Sequence, residues 1–257
     1  MKRYFSVFLL STLIISCNNQ KGATEENPPS EGFNAQDSDA KAIEIADAVM
    51  RAQGGRAAWD NTRHFAWNFF DRRDLVWDKK TGNVRIEIPG DTSVFLINIF
   101  TMEGKVVRHG KEITEPKQLA DELMEARKIW INDSYWLVMP FKLKDSGVTL
   151  KYLREEATQQ GESSEVLQLT FKSVGVTPNN KYEVWVDKSD ELIKQWAFFR
   201  TADLDTPNFV RPWDNYKEFG SIKLSSDRSD DGGPKRVRIF DELPEEVYTS
   251  FEAKLPE

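Results

Sequence analysis

The chain has 257 residues, of which 30% are charged and 39% hydrophobic, and its formal net charge at pH 7 is −7. This length suits one globular domain with a sizeable core. A chain this acidic lacks the basic surface that binds nucleic acid, so nucleic-acid partners are excluded. The 8 Trp and 16 Phe indicate that aromatic side chains make up much of the buried area.

The first residues have the pattern of a bacterial lipoprotein signal peptide. Lys2 and Arg3 precede a short apolar stretch that ends in "IISC", which resembles a lipobox, and Cys17 is the only cysteine of the chain. The apolar stretch is too short to cross a membrane as a helix. We therefore predict a signal peptide at residues 1–16 and a lipid anchor at Cys17. The acyl chains would attach the protein to the outer membrane, facing the periplasm or the cell surface.

Residues 17–37 are poor in large apolar side chains and rich in Asn, Gln, Glu, Pro and Gly. Such a composition does not compensate the entropy of ordering, so this segment is predicted to be a flexible tether. A folded domain at residues 38–257 is predicted to follow. It begins with Ser38 as the N-cap of an amphipathic helix. The predicted apolar face of this helix consists of Ile43, Ala46, Val49 and Met50. Gly54 and Gly55 supply the end of that helix.

After the first helix the hydrophobic period changes from 3.6 to two, which indicates β-strands. Phe65, Trp67 and Phe69 alternate with smaller or polar residues, and Leu75 and Trp77 continue the alternation. Short turns rich in Gly, Asp and Lys separate the later strands, and residues 187–191 form the bend of a predicted hairpin. Helices stand at the start and in the middle of the chain rather than after each strand, so the order favours an α+β fold with an antiparallel sheet curled over helices.

A second helix is predicted at residues 115–131, with Pro116 in its first turn. It is followed directly by "NDSYWLVMPFKLKD", residues 132–145, which contains one unbroken apolar run. The run is too short to span a membrane, and Pro140 argues against a central strand. It is therefore predicted to be a packing segment between the second helix and the next strand.

Several of these segments together resemble the LolA/LolB-like lipoprotein-localisation superfamily, most closely the anchored lipoproteins of Bacteroidetes-type bacteria. They are "AQGGRAAWDN", the Asp-Lys hairpins, "NDSYWLVMPFKLKDSGV" and the closing "NYKEFGSIKL". The resemblance covers nearly all of the domain. It implies an unclosed antiparallel β-barrel of about nine to eleven strands wrapped around amphipathic helices, with an apolar cavity that accepts the acyl chains of a lipid or lipoprotein.

In that fold, aromatic and apolar side chains of the strands, the second helix and the apolar run would line the cavity. Filling of the core is the alternative for each of them. The predicted ligand-lining residues are Trp67, Phe69, Trp77, Trp130, Trp136, Leu137, Met139 and Phe141.

Catalysis finds little support in the sequence, and the family pattern does not include an enzyme. His64 and His109 have no metal-ligand spacing, and no nucleophile elbow or phosphate-binding glycine loop is present. The chain is thus predicted to be a non-enzymatic protein without metal or cofactor. We also expect it to be a monomer.

Two other classes of function stay open. A glycan-binding lipoprotein would need several coplanar aromatic rings on one outer face, with Trp185, Trp196 and Trp213 as candidates. An interaction module of an envelope assembly would need a large exposed apolar patch.

Overall fold

The structure, a computed structural model, describes residues 26–172 and 179–254. The predicted signal peptide and Cys17 lie outside the described residues. Four α-helices are described: α1 (Ala40–Ala52), α2 (Arg56–Asn61), α3 (Pro116–Val138) and α4 (Glu246–Thr249). The strands are β1 (His64–Phe69), β2 (Arg73–Asp78), β3 (Asn83–Ile88), β4 (Ser93–Asn98), β5 (Gly104–Arg108), β6 (Lys111–Glu112), β7 (Val148–Ala157), β8 (Ser163–Phe171), β9 (Lys181–Asp187), β10 (Ile193–Phe199), β11 (Phe209–Pro212), β12 (Tyr216–Phe219), β13 (Ile222–Ser225) and β14 (Pro234–Phe240).

The strands form antiparallel sheets that do not join into a closed barrel. A seven-stranded sheet has the order β14-β1-β2-β3-β4-β5-β6, and a five-stranded sheet has the order β11-β10-β9-β8-β7. β12 and β13 pair only with each other in the described part of the chain. The predicted unclosed antiparallel α+β architecture is confirmed. The strand number is higher than predicted because short strands such as β6 and β12 carry no alternation that a sequence pattern could detect.

Each of the two larger sheets packs against a helix and forms its own core. The core of the seven-stranded sheet includes Leu123, Ala126 and Leu137 of α3, and that of the five-stranded sheet includes Ala46 and Val49 of α1. Helix α1 buries Ala46, Val49 and Met50 of the predicted face, whereas Ile43 is half-buried and Ala42 and Ile45 are buried as well. The exposed turn after it depends on Gly54, whose φ is +111° and whose missing Cβ would lie 2.1 Å from the carbonyl oxygen of Ser221.

The second helix is longer than the sequence predicts. α3 runs from Pro116 to Val138, so residues 132–138 are its last two turns, and Met139–Lys142 continue as a 3-10 helix. The predicted helix end at residue 131 is wrong, because the spacing of buried positions in α3 continues through Leu137. The α-helix ends near Pro140, whose missing N–H and bulky ring oppose further helical turns.

Residues ahead of α1 cover the edge of the five-stranded sheet. The backbone N–H of Asn34 donates to Val148 (3.0 Å), and Asp39 donates to Leu150 (2.9 Å). The Ser38 hydroxyl accepts a hydrogen bond from the backbone N–H of Leu150 at the strand edge. Ser38 is therefore not the N-cap of α1 that the sequence predicts; that position is occupied by Asp39. The folded body therefore begins ahead of Ser38.

No helix within residues 26–172 and 179–254 is long and apolar enough to cross a membrane.

The outer face of the seven-stranded sheet holds a buried histidine that predicts a pH dependence. His64 is 2% exposed, its Nδ1 lies 2.8 Å from the Tyr248 hydroxyl, and burial lowers its pKa below the ordinary value of 6.5. At pH values between this lowered pKa and 6.5, the His64 imidazole binds a proton in the unfolded chain but not in the folded chain. We expect the free energy of unfolding to fall as the pH drops below 6.5, by up to about 1.4 kcal/mol per pH unit.

Urea denaturation between pH 7 and about pH 5 measures this slope. His64→Gln should flatten it in the upper part of that range. His109→Gln, at a side chain that is 71% exposed, is the control for the loss of an imidazole elsewhere in the protein. Equal slopes for His64→Gln and the wild type would contradict the assignment.

Candidate functional site

A cavity of about 470 Å³ lies between the second half of α3 and the five-stranded sheet. Helix α3 forms one wall with residues 130–136, and strands β9, β10 and β11 form the facing wall. The loop before β7 lies along the cavity with Lys142, Asp145 and Ser146. The volume falls within the roughly 300–1,000 Å³ that small-ligand sites occupy.

Aromatic rings make up most of the walls because strand pairing aligns them on one face of the sheet. Phe209 pairs with Phe198, and Phe198 pairs with Tyr182, so three adjacent strands present a row of rings. Trp196 joins this row, stacked on Tyr182 with ring centroids 5.4 Å apart. From the helix, Trp136 meets Trp196 edge-on at 4.7 Å. The result is a concave aromatic surface of the kind that holds apolar ligands.

The cavity offers little charge to a ligand. Among the described lining residues the charged ones are Lys142 and Asp145, which form an ion pair with each other. The Tyr135 hydroxyl is buried and has no hydrogen-bond partner within residues 26–172 and 179–254. Burial raises its pKa well above the ordinary value, with Tyr182 and Asp145 adding to the shift. Tyr135 is therefore a neutral phenol at physiological pH, and its ring acts as apolar wall.

Two buried charged side chains hold the helical wall in place. The Arg228 guanidinium donates to the backbone carbonyl of Trp136 (2.6 Å) and lies 3.7 Å from the ring centroid of Trp213. Burial lowers the pKa of Arg228 to about 9. Asp133 accepts a bidentate pair of hydrogen bonds from Arg73 on β2, at 2.6 and 2.9 Å. Together they fix the backbone from which the lining side chains of α3 project.

Of the eight residues predicted to line a cavity, the structure brings Trp130 and Trp136 to it. The other six lie in the packed cores and do not line the cavity. Trp67, Phe69, Trp77, Leu137 and Phe141 belong to the core of the seven-stranded sheet, and Met139 belongs to that of the five-stranded sheet. Their apolar character does not distinguish cavity-lining from core positions, because core residues share it.

Sequence reasoning missed the rings of the facing wall, namely Phe171, Tyr182, Phe198 and Phe209. The signal that could have found them is parity, since Tyr182 and Phe198 alternate with Glu183 and Ala197 along a predicted hairpin. Arg228 was also missed, because it lies in a very polar stretch that predicts a solvated turn.

The three tryptophans proposed for a glycan surface do not share an outer face. Trp196 and Trp213 are 1% and 0% exposed in the core of the five-stranded sheet, whereas Trp185 is on the opposite face of that sheet. A coplanar platform of these three rings is therefore absent. Among the described residues, no three His, Cys, Asp or Glu side chains come together as a metal site.

No protein-family model and no curated protein matches the sequence. A DUF1329 family protein from Desulfovibrio piger is similar in structure, with a TM-score of 0.44 and 12% identity over 81% of this chain and 97% of that chain. MucB, in a complex with MucA(peri), has a TM-score of 0.23 and 11% identity over 82% of this chain and 60% of that chain. A LolA superfamily protein from Nitrosomonas europaea has a TM-score of 0.39 and 10% identity over 80% of this chain and 97% of that chain. The solved structures to which this chain is similar thus include a member of the superfamily that its sequence resembles; the relation to Bacteroidetes-type lipoproteins stays a prediction.

Proposed function

We propose that the protein is an envelope lipoprotein that binds an acyl chain of a lipid or of another lipoprotein in the cavity between α3 and the five-stranded sheet. The observation that carries the proposal is the cavity itself, about 470 Å³ in volume and walled mainly by aromatic rings. Each methylene group moved from water into such a site contributes about 0.8 kcal/mol, so a short length of chain gives useful affinity.

The lining favours an acyl group with an uncharged head, such as an ester. A free fatty-acid carboxylate would need a cation, and Lys142 is already paired with Asp145. Burying an uncompensated carboxylate is costly, whereas an ester carries no charge into the site. The neutral side chains of Asn132, Ser146 and Asn180 lie along the same cavity and are compatible with an ester group.

Attachment and location form part of the same proposal. Acylated Cys17 would hold the protein at the outer membrane, and the protein would act there by binding rather than by catalysis. An anchor of several acyl chains keeps the domain at a lipid surface, which is where ligands of this chemistry are found.

Ser146→Trp tests the ligand site. Ser146 is exposed and lines the cavity, so an indole at this position is expected to occupy space that the ligand needs. We expect binding of a fluorescent monopalmitoyl ester to the purified protein to weaken by about tenfold or more, which corresponds to the loss of roughly two buried methylenes. Palmitate should displace the ester poorly.

The control is Glu44→Trp, which adds an indole on the exposed face of α1, away from the cavity lining. It should bind the ester as the wild type does. Failure of the wild-type protein to bind either acyl compound would overturn the proposed function. Tighter binding of palmitate than of the ester would overturn only the preference for an uncharged head.

A further inference from the structure

The five-stranded sheet carries a second pocket on its outer face, opposite the aromatic cavity. Its floor comes from the alternate residues of β9 and β10, where Trp185 pairs with Gln195 and Glu183 pairs with Ala197. One wall is the turn after β7 at residues 157–159, and the other is the β10–β11 connection at residues 205–207. The pocket has a volume of about 500 Å³.

The floor contains a buried amide with unused hydrogen-bonding capacity. Gln195 is 3% exposed, and its Oε1 accepts from the backbone N–H of Gln159 at 2.8 Å. Its Nε2 has no hydrogen bond to another protein group in the described part of the chain and is not among the fully buried unpartnered atoms there, so solvent reaches it. Because Gln195 lines the pocket, a ligand bound there can accept a hydrogen bond from this donor.

Beside this amide, charged side chains are held in fixed positions over an apolar floor. Arg154 donates to Glu156 (2.8 Å) and to Glu183 (3.0 Å), and the Trp185 indole N–H donates to Glu156 (3.2 Å). The apolar part of the floor is formed by Trp185, Ala197, Phe199 and Val210. The guanidinium of Arg154 and the carboxylates of Glu156 and Glu183 thus lie beside a small apolar surface.

We propose that this outer-face pocket binds a neutral sugar unit of a glycan. A sugar ring has C–H faces, which suit the apolar floor of the pocket. Its hydroxyls both donate and accept hydrogen bonds, so they can bond to the Gln195 amide and to the carboxylates. An anionic ligand is disfavoured, because Glu156, Glu183 and Asp205 outnumber Arg154 among the charged lining residues. An acyl chain is disfavoured as well, since it would leave these polar groups without partners.

The test uses the full-length protein with cellohexaose, maltohexaose and chitohexaose as probes in titration calorimetry. At least one of them should bind saturably. Gln195→Met keeps the size of the side chain and removes its donor, and Glu183→Gln removes a charged acceptor. Each is expected to weaken binding by about tenfold, whereas Gln160→Met on the exposed part of the neighbouring turn should not.

Two further measurements separate this site from the aromatic cavity. Ser146→Trp, designed to block acyl binding, should leave saccharide affinity unchanged, so the two sites can fail independently. No saccharide binding at millimolar concentration, or binding that both pocket variants leave intact, would overturn the proposal. Salt-sensitive binding of hexalysine, lost in Glu183→Gln without any saccharide binding, would overturn it in favour of a cationic peptide.

Discussion

Replacing Arg85 with methionine is expected to lower the free energy of unfolding by about 3–5 kcal/mol, because it removes one partner from a buried hydrogen-bonded charge network. Arg85 lies on the outer face of β3 and is 1% exposed. Its guanidinium donates to Glu87 at 2.6 Å and to four backbone carbonyls of the C-terminal segment. Those carbonyls belong to Val247, Ser250, Phe251 and Ala253, at 2.7–3.2 Å.

The Arg85 side chain therefore attaches the C-terminal segment to the seven-stranded sheet. Val247 and Tyr248 of that segment pack on Ala66 and Val76, which lie in the same cross-strand row as Arg85. Loss of the guanidinium would leave the carbonyls and the Glu87 carboxylate without their donor. Residues 244–254 should then open locally at lower free energy than the rest of the fold.

Urea denaturation and limited proteolysis measure the two parts of this prediction. In the Arg85→Met protein, early cleavage should fall within residues 244–254. The matched control is Arg56→Met, which breaks an exposed ion pair with Asp60 and should cost no more than about 1 kcal/mol. A similar small cost for Arg85→Met, with unchanged proteolysis, would show that the C-terminal segment is held by its apolar contacts alone.

The sequence predicted well those elements whose hydrophobic period matches their burial. The hairpin with its bend at residues 187–191 appears as β9 and β10, and the buried face of α1 follows its helical spacing. The sequence pattern ends this helix at residue 131, seven residues before Val138. Bulky apolar side chains on all sides of residues 135–141 obscured the period, because this end of the helix packs against both cores.

The cavity itself could not be predicted residue by residue. Whether an aromatic side chain fills a core or borders a void depends on how far two walls stand apart, and that distance is not a property of either wall's sequence. Trp77 and Trp130 illustrate this point, since their rings contact each other at 5.3 Å, yet Trp130 also reaches the cavity and Trp77 does not. Buried charges such as Asp133 were equally hidden, because its partner Arg73 lies 60 positions away.

Replacing Asp133 with leucine is expected to destabilise the fold by about 3–5 kcal/mol, the cost of leaving one member of a buried ion pair without its partner. The Asp133 side chain is 0% exposed and that of Arg73 is 23% exposed. Burial raises the pKa of Asp133, and the hydrogen bonds from Arg73 and Asn132 act in the opposite direction. With the carboxylate removed, the guanidinium between α3 and β2 would have no counter-charge at 2.6 Å.

The double variant Asp133→Leu with Arg73→Met separates the two possible sources of this loss. If the unpaired guanidinium causes it, the double variant should be more stable than Asp133→Leu alone, since apolar replacement of a whole buried pair is often nearly neutral. Equal or lower stability of the double variant would instead assign the loss to packing around α3. Asn132 and Ser134, the neighbours of Asp133, line the cavity. The Asp133→Leu protein should therefore also bind the monopalmitoyl ester more weakly than the wild type. Recovery of that affinity in the double variant would show that the ion pair acts on the cavity through the position of α3.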